Sequence, residues 1–186
     1  MKNISIISAS VRNGRNSHRV ALYFKNYLEE NKLANVNIID LKEYDFPIFE
    51  ERLRFISDPT AAMLSFANEV TTADGIIVVT PEYNGGYPAS LKNAIDLLYA
   101  EWKRKPIGIA TVSAGAFAGT QVITSLQFSL WKIGALVIPA MFPVATIEKT
   151  FDENGKPSDV EGTDKRAKSF IGELIWWIEA KQKMEM

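Results

Sequence analysis

The chain has 186 residues, a formal net charge of -1 and no cysteine, with hydrophobic residues at 47% and charged residues at 23%. The balance supplies a core without a disorder signature, and no Ser/Gly-rich or charge-rich linker divides the length, so residues 1–186 read as a single domain. Near-neutral charge without a basic stripe argues against a nucleic-acid surface, and the missing thiols exclude disulfides, thiolate metal sites and cysteine nucleophiles.

The run Ile4 to Ser8 is short and β-branched and predicts a first strand. It begins without a charged segment followed by a long apolar one, and no apolar stretch is long enough to span a bilayer, so the expectation is a cytoplasmic protein without membrane association. After a polar loop, Val20, Phe24 and Leu28 recur at helical spacing. Val36 to Asp40 predicts a second strand, which Asn37 marks as an edge. Ala62, Phe66 and Val70 predict the next helix. Ile76 to Thr80 is apolar without interruption, as a central strand covered on both faces would be. Beyond it, Leu91, Ala94, Ile95 and Leu98 form a helical pattern, with Pro88 placed in its first turn, where a missing N–H costs nothing. Ile107 to Val112 and Ala135 to Ile138 predict strands four and five, with Val122, Ile123, Leu126, Leu130 and Ile133 on a helix between them. Residues 139 to 163 read as a long connection with a turn at Asp152 to Gly155. Ala167, Phe170, Ile171, Leu174, Ile175 and Ile178 then share one face of a last helix.

Strand and helix alternate, which predicts an α/β fold: a five-stranded parallel sheet with helices on both faces. An edge second strand and a central third strand favour the order 2-1-3-4-5; the order 3-2-1-4-5 would make strand two internal.

Three loops follow the carboxyl ends of neighbouring strands, where open α/β sheets bind ligands. The first, Ser8 to Ser17, combines hydroxyls, Gly14, Arg12 and Arg15 ahead of a helix, and so suits a phosphate. It is neither a GxGxxG turn nor a GxxxxGK[ST] loop, which disfavours Rossmann dinucleotide binding and P-loop hydrolysis. A plain helix cap at Asn16 or Ser17 with solvated arginines explains this loop equally well. The second, Thr80-Pro81-Glu82-Tyr83-Asn84-Gly85-Gly86-Tyr87-Pro88, is stiffened by proline and presents bare backbone at its glycines, a surface for a flat ligand. The third, Ser113 to Gly119, is built of small residues that let amides approach a ligand.

Ser10-Val11-Arg12 with Asn16-Ser17, Pro81-Glu82-Tyr83-Asn84 with Pro88 and Leu91-Lys92-Asn93-Ala94-Ile95-Asp96, and Ser113-Ala114-Gly115 resemble, in this order, the NAD(P)H-dependent FMN reductases of the flavodoxin-like fold, a family that includes quinone, azo-dye and chromate reductases. The resemblance covers residues 1 to about 140. It implies a three-layer flavodoxin-like sandwich, FMN as cofactor and NADPH or NADH as co-substrate. By the same resemblance Ser10, Arg12, Asn16 and Ser17 hold the FMN phosphate, and Pro81, Glu82, Tyr83, Asn84, Gly85, Ser113 and Gly115 meet the isoalloxazine. Either Arg12 or Arg15 takes the leading role at the phosphate. The implied reaction carries hydride from NAD(P)H through FMN to a quinone, azo compound, metal or free flavin, and the flavin does the chemistry, so no catalytic side chain is assigned. The rival reading is a flavodoxin-type electron carrier, disfavoured by the arginines and the near-zero charge.

No metal site is expected: His18, the sole histidine, reads as a surface or helix-start residue. Glu82 reads as a structural or interface ion-pair partner. Lys103, Arg104 and Lys105, among other surface charges, offer contacts for the 2′-phosphate of NADPH. Phe128, Trp131 and Trp176 fall off the apolar stripes of their helices and, with the resemblance, predict a homodimer or homotetramer.

Overall fold

The computed structural model describes residues 1–185. Five parallel strands, β1 (Lys2–Ser8), β2 (Ala34–Asp40), β3 (Gly75–Pro81), β4 (Pro106–Val112) and β5 (Leu136–Val144), form one sheet in the order β2-β1-β3-β4-β5. This is the flavodoxin order that an edge second strand predicts. Asn37 is tolerated in that edge because its side chain is satisfied: its Oδ1 accepts from Ser5 Oγ at 2.7 Å and its Nδ2 donates to Glu69 Oε2 at 2.7 Å.

The helices lie on both faces. On one side α1 (His18–Glu30) and α7 (Val160–Glu185) cover Ile77 and Val79 of β3; on the other, α3 (Ala61–Thr72), α4 (Ala89–Leu97) and α5 (Gln121–Lys132) cover Ile76 and Val78. β3 is therefore apolar from Ile76 to Val79 because neither face meets water. Two short helices, α2 (Leu41–Tyr44) and α6 (Ile147–Thr150), follow the carboxyl ends of the edge strands. Of the predicted stripe of the last helix, Ala167, Phe170, Ile171, Leu174 and Ile178 are buried and Ile175 is partly buried at its margin. α7 sits unusually close to the sheet: a Cβ on Gly108 would stand 2.5 Å from Phe170 Cζ, and one on Gly75 would stand 2.6 Å from Ile178 Cδ1. Bare backbone at those two points makes the approach possible.

Three expectations change. β5 runs past Pro139 to Val144, because an edge strand can absorb a residue without an N–H; the β4–β5 register shifts between Ile107 and Ile109 to accommodate it. The stretch 139–163 is consequently ordered through β5, α6 and a turn at Asp152 to Gly155, closed by the Phe151–Pro157 bridge. Pro88 stands just before α4 with extended ψ of 145°, one residue earlier than its expected place inside the first turn. Among the described residues no helix is long and apolar enough to cross a membrane.

Candidate functional site

The carboxyl ends of β1, β3 and β4 bring the three loops together around a cleft of about 200 Å³. Of the residues expected there, Ser10, Arg12, Asn16, Ser17, Pro81, Glu82, Tyr83 and Ser113 line it. Asn84, Gly85 and Gly115 do not; the first two form the tip of a turn beside it. A second pocket of about 190 Å³ lies between α3, α4 and the segment 46–56, but it is fed by none of the three loops.

In the first loop, Ala9 N donates to Val79 O at 3.0 Å and Ser90 Oγ donates to Ala9 O at 2.7 Å, which seats the loop on β3 and α4. Gly14 turns the chain at φ 67°. α1 then opens with Ser17 already in helical conformation and making no side-chain cap, so the plain capping reading of Ser17 fails. Its hydroxyl is buried and without a partner among the described residues. Arg19 N and Val20 N bond within this first turn to Asn16 O and Ser17 O at 3.1 Å, and the helix dipole favours negative charge at that end. An unbonded buried hydroxyl at a helix N-terminus fits a phosphate.

The two arginines divide. Arg15 forms a fork-to-fork pair with Asp40 and donates to Ser10 O at 2.8 Å. Arg12 is exposed and its guanidinium has no partner among the described residues, so it is the cation free to meet an anion. Ser10 is fully buried and its Oγ lies 2.7 Å from Tyr83 OH, so its hydroxyl joins the first loop to the second rather than standing open. The Asn16 amide donates to Glu148 Oε1 at 2.9 Å. That contact comes from α6, inside the stretch read as structureless, and α6 also contributes Ile147 to the cleft. The alternation Phe142, Val144 beyond Pro139 was the available signal that ordered structure continued there.

The second loop is a tight turn. Tyr83 and Gly86 exchange both backbone hydrogen bonds, at 2.8 and 3.0 Å, around Asn84 at φ 52° and Gly85 at φ 81°. Two central residues in the left-handed region make a type I′ turn, for which Asn-Gly is the favoured pair. Glu82 lines the cleft and forms no ion pair within the described chain. In the third loop Ser113 N donates to Val144 O at 3.0 Å, Ser113 Oγ donates to Gly115 O at 2.9 Å, and Ile147 N donates to Ser113 O at 3.1 Å. A Cβ at Gly115 would meet nothing within 4 Å, so the scaffold leaves open space there.

His18, the first residue of α1, places one nitrogen, Nδ1, 3.0 Å from Ser8 Oγ and 3.6 Å from Asp40 Oδ2. A proton relay requires two different ring nitrogens, so this is no catalytic triad. Burial holds its pKa below the ordinary value, against the opposing pull of Asp40. No cluster of three or more potential metal ligands occurs among the described residues. Lys103, Arg104 and Lys105 precede β4, at the opposite end of the sheet from the cleft, and Lys105 Nζ is bonded to Thr71 O and Ala73 O. They are therefore removed as contacts for a nucleotide in this cleft.

The family profile described as NADPH-dependent FMN reductase matches residues 2–149. An NAD(P)H-dependent FMN reductase of Saccharomyces cerevisiae is 33% identical over 160 residues, covering 77% of this chain and 83% of the relative. A quinone reductase of Pseudomonas putida is 28% identical over 182 residues, 94% of each chain. The flavoenzyme FerB of Paracoccus denitrificans, an NAD(P)H:(acceptor) oxidoreductase, has the same fold with a TM-score of 0.79 at 24% identity, covering 97% of this chain and 98% of its own. The matched span contains all three loops of the cleft, and the chain belongs to the NADPH-dependent FMN reductase family, an FMN-dependent oxidoreductase that draws electrons from NAD(P)H.

Proposed function

We propose that the cleft holds FMN with its phosphate against Arg12, Ser17 and the first turn of α1 and its ring against the second and third loops, and that the acceptor is a quinone-class molecule. The unbonded, buried Ser17 hydroxyl carries this reading, because buried polar groups are nearly always hydrogen-bonded and this one faces the cleft without a partner among the described residues. Bound FMN supplies the redox chemistry, taking hydride from the nicotinamide and passing electrons to the acceptor. The chain's own work is to bind and orient. Arg12 contributes a charge-assisted contact, the Tyr83–Ser10 bond sets the spacing of two loops, and the Asn84-Gly85 turn presents backbone beside the ring. Asn16 acts through Glu148, and Pro81, Glu82, Tyr83 and Ser113 form the wall of the ring site. Gly115 leaves room for a planar group.

In this reading residues 1–186 work as a single cytoplasmic domain that assembles as a homodimer or homotetramer. Phe128 and Trp131 on α5 are 63% and 65% exposed and Trp176 on α7 is 59% exposed, aromatics on two separate helices that suit such interfaces. The decisive test is anaerobic mixing of the FMN-loaded protein with NADPH, then with a quinone. Bleaching of the flavin followed by recovery of its colour is expected. A flavin that stays yellow would return the carrier reading, and a colourless protein that refuses FMN would remove both.

A further inference from the structure

Asp40 ends β2 at the sheet edge, and nothing in the loop motifs points to it. Its carboxylate accepts from both terminal nitrogens of Arg15 and from Lys42 N at 3.0 Å, and it faces His18 Nδ1 at 3.6 Å. Arg15 also donates to Ser10 O at 2.8 Å, and Ser10 Oγ meets Tyr83 OH at 2.7 Å. A continuous line of polar contacts thus runs from the edge strand through the first loop into the second. It ties residue 15 back to residue 10 and closes the turn that carries Arg12 and Gly14. The side chains of the pair are only 14% and 7% exposed, so each charge depends on the other. Three of the five N–H groups of Arg15 are spent on Asp40 and Ser10 O, which commits this guanidinium to the turn.

We infer that Asp40 is a positioning residue for cofactor binding: acting through Arg15, it holds the turn from Ser10 to Arg15 in the shape that lets Arg12 and the Ser17 hydroxyl address one phosphate. The assignment rests on the FMN reading above. It explains why the loop has two arginines, one built into the turn and one left for the ligand. A pair that only stabilised the fold would weaken every flavin alike, whereas a pair that shapes the phosphate turn acts on the phosphate alone.

The test compares FMN with riboflavin, which lacks the phosphate. Both are titrated into apo wild type, Asp40→Asn and Arg15→Lys by quenching of flavin fluorescence, and thermal unfolding of each apoprotein is followed by circular dichroism. Asp40→Asn is expected to weaken FMN by roughly tenfold or more, the scale of a lost charge-assisted bond, while riboflavin affinity holds. Arg15→Lys keeps the charge but loses the two-pronged pairing with Asp40, and it is expected to fall between. Equal weakening of both flavins, no change in either, or tighter FMN binding because a released Arg15 reaches the phosphate would each overturn the inference. If Asp40→Asn does not fold, Arg15→Lys decides by the same ratio, and failure of both to fold assigns the pair to the fold alone and overturns it too. A wild type that binds neither flavin defeats the FMN reading itself, which is a separate failure.

Discussion

The two ends of the sheet each bury a polar group and treat it oppositely. At the amino end Lys105 is 6% exposed, and its ammonium donates to Thr71 O at 3.1 Å and to Ala73 O, the carbonyls left where α3 stops. Asp74 beside it accepts from Asn3 N at 2.7 Å and from Gln182 Nε2 at 3.1 Å. At the carboxyl end Ser17 is 3% exposed and its hydroxyl has no partner among the described residues. Left-handed backbone does not separate the ends, since Asn84 and Ala118 stand at this one and Lys32 and Arg104 at the other. The amino end is completed by folding; the carboxyl end leaves a buried hydroxyl for a ligand. Burial alone marks neither as a site. The missing partner does.

Substitutions at the two ends are expected to separate affinity from stability. Arg12→Ala removes the unpaired cation of the cleft and should weaken FMN binding by about 1.5 to 3 kcal/mol while leaving apoprotein unfolding unchanged, as fluorescence titration and thermal melts report. Lys105→Met is the mirror image. It fills the same space but strands the Thr71 and Ala73 carbonyls, so the apoprotein should lose about 1 to 2 kcal/mol in urea unfolding with FMN affinity intact. If Lys105→Met weakened FMN, or Arg12→Ala destabilised the apoprotein, the division between the ends would collapse.

Ser17→Ala sharpens the comparison with a smaller effect of divided sign. Removing an unbonded buried hydroxyl should leave the apoprotein equally or slightly more stable, yet cost about 0.5 to 1.5 kcal/mol in FMN binding. At the periphery, Trp176→Glu places a charge on an exposed aromatic; a smaller sedimentation coefficient than wild type is expected, and an unchanged multimer would remove Trp176 from the interface.

The remaining effects are pH slopes. Burial, with Lys181 adding repulsion, lowers Lys105 from 10.5 to about 8. Between those values the unfolded chain holds a proton that the folded chain has released, so stability should rise with pH across that window, and Lys105→Met should flatten the rise. His18 is lowered from 6.5, so the folded state resists its protonation and stability should fall as pH drops below that value. Denaturant unfolding at a series of pH values measures both slopes.

The strands, the helix faces and the flavodoxin order were legible because they depend on local periodicity and on the uninterrupted apolar run of β3, whose Ile76 to Val79 report burial on both faces. The Asn84-Gly85 turn was legible for the same reason, since left-handed conformations select their residues locally. Pro139 misled because it reads as a strand stop, whereas an edge position tolerates it.

Patterns a few residues long are enough to set the sheet, its order and the three loops at one rim. Which arginine is committed and which is open, that Glu148 reaches Asn16, and that Lys105 faces away from the cleft emerge from the folded chain alone. Arg15 and Asp40 lie 25 residues apart and Asn16 and Glu148 lie 132 apart. Contacts between polar groups so distant along the chain leave no periodic trace in it; they exist only once burial of both core layers has brought the strand ends together.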